Sequence, residues 1–439
     1  MTKIIYGLFF SVFFVTPLWA YIDPGTGSML FSFLTGIAVT VFFFVKNVIL
    51  KMKSGSLFAT KHRGKTVVPQ GQSLVIYSEG KQYWNVFKPV LEELAKRGIL
   101  CMYYTSGEDD PGLAFTAPES LIQKSFIGKG NVAYRALNFL EADICLMTTP
   151  GLDVFQLKRS PGVKHYAHIL HTVTDATTYR LFGLDYYDSV LLTGEYQKQD
   201  IRKLEEKRGT KKKALFVVGC TYLDVIAEKK QRLPPSAIQS SAKTVLVAPS
   251  WGENGILKRY GMRLLEPLAR SSFHVILRPH PQSMLGERDT VEKLQKTLGA
   301  YPNVEWNFDA ENLAALARAD VLISDFSGVI FDYAFLFNRP VLYPRFEFDL
   351  RPYDAADIET EAWVFRAIRE IGIPIDETRF ADIAAVLDRA ISGAIKNDTI
   401  SKLKAEAYMY AGEAGKRVVD VLGELRYLSA YRGLSTDIR

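Results

Sequence analysis

The chain has 439 residues, 48% of them hydrophobic, and 54 lysines and arginines against 48 aspartates and glutamates leave a net charge of +6. That length holds two domains of ordinary size and an accessory segment, which excludes a single small binding module. The mild positive balance falls short of a nucleic-acid-binding signature, and Cys101, Cys145 and Cys220, scattered inside apolar runs, give neither a disulfide framework nor a zinc spacing.

Residues 4–20 are almost wholly apolar behind Lys3, and Leu18-Trp19-Ala20 offers a weak signal-peptidase site, so a cleaved signal and a retained helix both stay open. After a turn-rich break at residues 21–27 (YIDPGTG), residues 28–50 form an apolar stretch, uncharged before Lys46, that is long enough to cross a bilayer. Lys46, Lys51, Lys53, Lys61, Arg63 and Lys65 follow with no acidic residue between them, which puts the remaining chain on the cytoplasmic side. Residues 1–65 are therefore expected to be a membrane anchor with a basic flank, at a bacterial-type inner membrane.

From Ser73 onward, short β-rich apolar runs alternate with amphipathic stretches, the pattern of parallel sheets covered by helices. Strands are expected at residues 74–77, 100–104, 144–148, 165–170, 189–192 and 215–218 within a first domain, 66–230. Val86, Val90, Leu91, Leu94 and Ala95 recur at helical spacing, with Gly98 as the stop. The polar, proline-bearing residues 231–243 read as a linker. A second α/β domain, 244–439, has expected strands at 244–248, 274–277, 321–323 and 341–343 and helices at 256–268 and 313–319. Two open α/β domains leave a cleft between facing sheet ends, where ligands bind.

Four clusters carry chemistry. In the first, the strand at Val321 breaks at Ser324-Asp325-Phe326-Ser327-Gly328 and resumes as a helix. Free amides at that helix start bind phosphate, with the Ser327 hydroxyl adding a contact and Gly328 allowing close approach. The alternative is that Ser324, Asp325 or Ser327 simply caps the helix. Asp332, one turn on, can bond donor hydroxyls or be a solvated helix residue. In the second, Arg278-Pro279-His280-Pro281 fixes a guanidinium and an imidazole at a strand end, where both can face a diphosphate. In the third, the run ending at His171 places a candidate general base at a strand exit, while alternation sends His168 to the opposite face as a core histidine. The fourth is the loop Pro249-Ser250-Trp251 after the first strand of the second domain.

Together these motifs resemble the CDP-glycerol glycerophosphotransferases, the teichoic-acid polymerase and primase family, over about residues 164–344. The resemblance implies a GT-B fold of two Rossmann-like domains facing across a cleft, with the donor mainly on the second. It implies that His171 is the acceptor base, that Pro249 and Ser250 touch the donor, and that Arg278 and His280 form the family's Arg-x-His motif. Ser327 and Gly328 match a Ser-Ser pair at the phosphate, and Asp332 a carboxylate on the glycerol side. Two departures are visible: Leu170-His171-Thr172 replaces Trp-His-Gly, and Gly219-Cys220-Thr221-Tyr222 replaces Gly-x-Pro-Arg, so an arginine is missing.

The implied activity moves glycerol phosphate, or a related polyol phosphate, from a CDP-linked nucleotide-diphosphate donor to a hydroxyl of an envelope glycan or lipid-linked acceptor, releasing CMP. No cofactor is expected. Asp325 and Asp332 are too few to argue a metal cage. Two alternatives stay open: a glycosyltransferase of the same architecture using a nucleotide sugar, and a catalytically silent membrane scaffold.

Overall fold

The computed structural model describes residues 74–234, 242–309, 311–345 and 347–436, with side chains described to residue 426. The chain divides into two compact units, Met1–Pro69 and Gln70–Arg439, and all described residues belong to the second. The apolar segments 4–20 and 28–50 and the basic flank to Lys65 lie outside the described residues. Among the described residues no helix is long and apolar enough to cross a membrane.

The first sheet contains β1 (Leu74–Ser78), β2 (Cys101–Thr105), β3 (Ile122–Phe126), β4 (Ala142–Met147), β5 (Val163–Ile169), β6 (Ser189–Leu192) and β7 (Ala214–Val217). Their order is β3-β2-β1-β4-β5-β6-β7, parallel throughout. β1 and β4 are buried along their whole length because helices cover both faces, so their sequences are continuous apolar runs. The helix Trp84–Lys96 lays Val86, Phe87, Val90, Leu91 and Leu94 into this core and stops at Gly98, whose φ of 68° suits glycine.

The second sheet contains β8 (Thr244–Val247), β9 (His274–Leu277), β10 (Val304–Trp306), β11 (Val321–Ile323), β12 (Val341–Pro344) and β13 (Ile373–Ile375), in the parallel order β10-β9-β8-β11-β12-β13. In each sheet the order reverses once, between β1 and β4 and between β8 and β11. Those two points open crevices at the carboxyl ends of the strands.

Three strands escape the sequence reading: β3, β10 and β13. All are edge strands, short and mixed in polarity (IQKSF, VEW, IPI), so hydrophobic alternation does not mark them. The expected helix at 256–268 is divided at Gly261 (φ 48°) into Ile256–Arg259 and Met262–Ala269.

The carboxyl end differs more. The helix Ala414–Thr436, expected in the second domain, packs Val418, Val419, Leu422 and Leu425 into the core of the first sheet. Gly415 lies so close to Pro89 that a Cβ would stand 2.7 Å from its ring. Asp224, on the helix Thr221–Gln231, anchors the return by accepting from Gly412 N (2.7 Å), Ala414 N (3.0 Å) and Tyr408 Oη (2.6 Å). An amphipathic helix declares its apolar face but not which sheet will cover it, which is why residues 244–439 do not form one sequential domain.

The segment after β12 locks the two halves together. Asp175 accepts from Trp363 N and Val364 N (2.8 and 2.7 Å), and Asp354 N donates to Tyr179 O (2.9 Å). Arg208, ending the helix Tyr196–Arg208, pairs with Asp185 (2.8 Å), Asp354 (2.7 Å) and Asp357 (2.6 Å), and the first three of these side chains are 7%, 8% and 2% exposed. Burial nevertheless holds the Asp354 carboxyl up at about 6. Arg208→Ala leaves two buried carboxylates without their cation and should cost on the order of 3–5 kcal/mol, read as a lowered urea midpoint. Arg208→Lys, which keeps the charge without the fork, should lose less. An unchanged midpoint in Arg208→Ala would contradict this role.

Candidate active site

At the end of β11 the chain spends its polar side chains on neighbouring loops. Ser324 Oγ donates to Ala248 O (2.6 Å), and the buried Asp325 carboxylate accepts from Ser250 N (2.9 Å), Ile256 N (3.1 Å) and Phe326 N (2.7 Å). Burial raises the Asp325 pKa, and these donors oppose the shift. Neither residue caps the helix Val329–Phe337, whose N-terminus at Gly328 receives no side-chain cap. Ile330 N and Phe331 N already close turn bonds to Ser327 O (3.1 Å) and Gly328 O (3.0 Å), so it is the Gly328 and Val329 amides, with the helix's partial positive charge, that stay available to an anion beside the half-buried Ser327. A Cβ on Gly328 would stand 2.5 Å from Thr172 Oγ1, so this turn of the second sheet touches the exit of β5 from the first.

The Arg278-Pro279-His280-Pro281 tetrapeptide leaves β9, two strands from β11 across β8. The Arg278 guanidinium is held by Asn307 Oδ1 and by Asp309 O (2.9 Å). His280 Nδ1 accepts from Gln282 N (3.1 Å), so the neutral ring carries its proton on Nε2 and can donate there. Burial and then the adjacent Arg278 lower the His280 pKa to about 4. The Pro249-Ser250 loop is buried behind Asp325, while Trp251 stays partly exposed with Arg180, from the loop after β5, over its ring at 5.4 Å.

His171 is half-buried at the exit of β5. Its Nδ1 meets Thr148 Oγ1 (3.0 Å) and Tyr179 Oη (3.4 Å), and Tyr83 packs edge-on against the ring at 5.3 Å. Nε2 has no hydrogen-bond partner among the described residues. Burial, then the nearby His280, lowers the His171 pKa to about 4. The predicted separation of His168 and His171 by strand alternation does not hold, because β5 ends at Ile169 and His171 lies in the bend beyond it. Both rings meet the Tyr179 hydroxyl, His168 through Nε2 at 3.2 Å. His168 is nonetheless fully buried, as expected of a core histidine, with its pKa lowered to about 3 by burial.

Asp332 is buried, accepting from Tyr222 Oη (3.2 Å) and Asn312 Nδ2 (3.3 Å), and burial raises its pKa to about 7. It is thus held in a polar cluster rather than being a solvated helix residue. Tyr222, where the resemblance leads one to look for arginine, closes this cluster and bears electrostatically on Arg278. The sequence reading did not single out Thr148, Tyr83, Tyr179 or Asn312, since nothing distinguishes a site hydroxyl from a core one; the Thr148-Thr149 pair at the exit of β4 is the one local signal. Among the described residues no cluster of His, Cys, Asp and Glu is arranged to hold a metal. A cavity of about 230 Å³, lined by Asp325, Phe326, Tyr343, Arg345, Phe348 and Arg369 among others, touches the first cluster through Asp325 and Phe326 but includes none of His171, Arg278, His280, Ser327, Gly328 or Asp332.

The model of the CDP-glycerol:poly(glycerophosphate) glycerophosphotransferase family matches residues 169–360. The fold is similar to that of the wall teichoic acid polymerase TagF, with a TM-score of 0.53 at 16% identity over 89% of this chain and 98% of that one. A TagF structure described as soaked with CDPG gives 0.50 at 16%, covering 90% and 97%. The UDP-GlcNAc 2-epimerase of Methanocaldococcus jannaschii gives 0.54 at 13%, covering 81% and 99%, a likeness of fold alone. No curated protein matches the chain. With two parallel sheets in a GT-B-like arrangement and the family's model matched over residues 169–360, the chain is CDP-glycerol glycerophosphotransferase-like over that segment.

Proposed function

We propose that the chain transfers glycerol phosphate, or a related polyol phosphate, from a CDP-linked donor to a hydroxyl of an envelope glycan or lipid-linked acceptor. The observation that carries this reading is the contact between Gly328 and Thr172, which brings an uncapped helix N-terminus within the same cleft as His171 and His280. The donor diphosphate lies at Ser327 and Gly328, with Arg278 offsetting its charge and the Nε2–H of the neutral His280 donating a hydrogen bond to it. With Nδ1–H given to Thr148, His171 Nε2 takes the proton of the acceptor hydroxyl. The oxygen of that hydroxyl forms a bond to the β-phosphorus as the bridging P–O bond breaks and CMP leaves. Alignment and charge stabilisation supply most of the catalysis in such transfers. Pro249 and Ser250 border the nucleotide, and Asp332 acts through Tyr222 and Asn312 on its sugar or polyol side. Residues 1–65 hold this machinery at the inner face of a cytoplasmic membrane.

A nucleotide-sugar donor is the second reading, favoured by Tyr222, which leaves one cation fewer near the diphosphate than the family's turn provides. The released nucleotide separates the two: a monophosphate for phosphoryl transfer, a diphosphate for glycosyl transfer.

His171→Ala should leave CDP-glycerol affinity nearly unchanged while cutting turnover by about 10²–10⁴. Because the folded pKa of His171 lies near 4, below the ordinary 6.5, the ring is the neutral base throughout the physiological range, and wild-type turnover should fall only as the pH approaches about 4. A rate falling already near 6.5, or normal turnover in His171→Ala, would contradict the assignment. Arg278→Ala and His280→Ala should each weaken CDP-glycerol binding about tenfold or more by calorimetry, the worth of a charge-assisted hydrogen bond. Unchanged affinity in both would move the diphosphate elsewhere. For the membrane, protease added outside intact cells should spare residues 65–439; their digestion would overturn the cytoplasmic placement.

A further inference from the structure

The first sheet has its own crevice, at the reversal between β1 and β4, of which the reaction described above uses only Thr148. Tyr77 of β1 lies opposite Met147 of β4, so Glu79 and Thr149, each two residues further on, leave the sheet side by side. The Glu79 backbone is held in place by its neighbours. Ser78 Oγ donates to Gly80 O (3.1 Å) and accepts from Gly80 N (3.2 Å), and a Cβ on Gly107 would stand 2.9 Å from Gly80 Cα.

Glu79 is half-buried, and none of the groups that bear on it most is cationic: burial raises its pKa, while the hydroxyls of Thr149 and Tyr83 draw it back. Lys81, two residues on, is engaged with Asp109 at 2.6 Å. Thr149 is buried, and its Oγ1 has no partner at hydrogen-bond geometry. Two short routes join this carboxylate to the proposed base. Tyr83 packs on the His171 ring at 5.3 Å, and Thr148, the residue before Thr149, meets His171 Nδ1 at 3.0 Å. A carboxylate set among hydroxyls without a cation repels anions and accepts from O–H groups, most strongly from neighbouring hydroxyls of one molecule.

We propose that Glu79 binds the acceptor, receiving the hydroxyl adjacent to the one that His171 deprotonates, so that the first-sheet crevice selects a vicinal polyol. This rests on the transfer reaction proposed above. The donor site supplies the phosphorus, and the Glu79 crevice orients the neutral, hydroxyl-bearing end of the acceptor.

The test uses the full chain in detergent with two acceptor probes, the monomethyl ether of glycerol and its deoxy counterpart lacking the central hydroxyl. In Glu79→Ala, KM for the glycerol ether should rise about tenfold, with a smaller rise in Glu79→Gln, while KM for the deoxy probe and the affinity for CDP-glycerol stay unchanged. A purely structural role would raise KM for both probes or weaken the donor. If the preference between the probes is the same in wild type and both variants, the proposal is overturned. Ligand-observed NMR of the glycerol ether, without donor, gives an independent arm: binding lost in Glu79→Ala supports the site, and equal binding overturns it. A wild type that binds the ether but not CDP-glycerol would sink the transfer reading while leaving the polyol site standing.

Discussion

The candidate site depends on one buried carboxylate. Asp325 follows directly on β11 and takes its hydrogen bonds from loop amides, drawing the Pro249-Ser250 loop against the end of the strand. Had its side chain turned to the helix Val329–Phe337, it would have capped the helix start and set a negative charge against an end that otherwise favours an anion. By bonding sideways it stabilises the loop and leaves the helix start without a side-chain cap. The cost is a carboxylate buried beyond solvent, tolerable because several donors surround it.

The two sheets repeat one plan. Each reverses its strand order once, and the residues beyond the paired strand ends are those with chemistry to offer: Glu79 and Thr149 in the first sheet, Ser250 and Asp325 through Gly328 in the second. A cleft of this kind is useful only if its walls keep their spacing. The segment after β12 provides that, through Asp175, Asp354 and the buried Arg208, and the helix Ala414–Thr436 crosses back to the first sheet as a second tie. Where the walls meet, Gly328 and Thr172 leave no room for a side chain between them.

Much of this was legible in the sequence because the central strands of parallel sheets are buried on both faces and so read as apolar runs. β1, β4, β8 and β11 stood out for that reason, and with them the strand ends that bear chemistry. What stayed hidden follows from equally plain causes. The edge strands β3, β10 and β13 lack a repeating pattern, and the last helix carries no mark of the sheet that receives it. The faces of His168 and His171 were misjudged because the strand ends two residues before His171. Tyr222, read only as a lost arginine, is a hydrogen-bond partner of Asp332, a relation between residues 110 apart that no local pattern conveys.

The central claim is that the cleft breaks the diphosphate of a CDP-linked polyol between its two phosphorus atoms. The most direct measurement is phosphorus NMR of the full chain in membranes supplied with CDP-glycerol. The account predicts that CMP appears in step with a new glycerol phosphodiester. Release of CDP, or a nucleotide signal that never changes while a UDP-sugar is consumed instead, would contradict it.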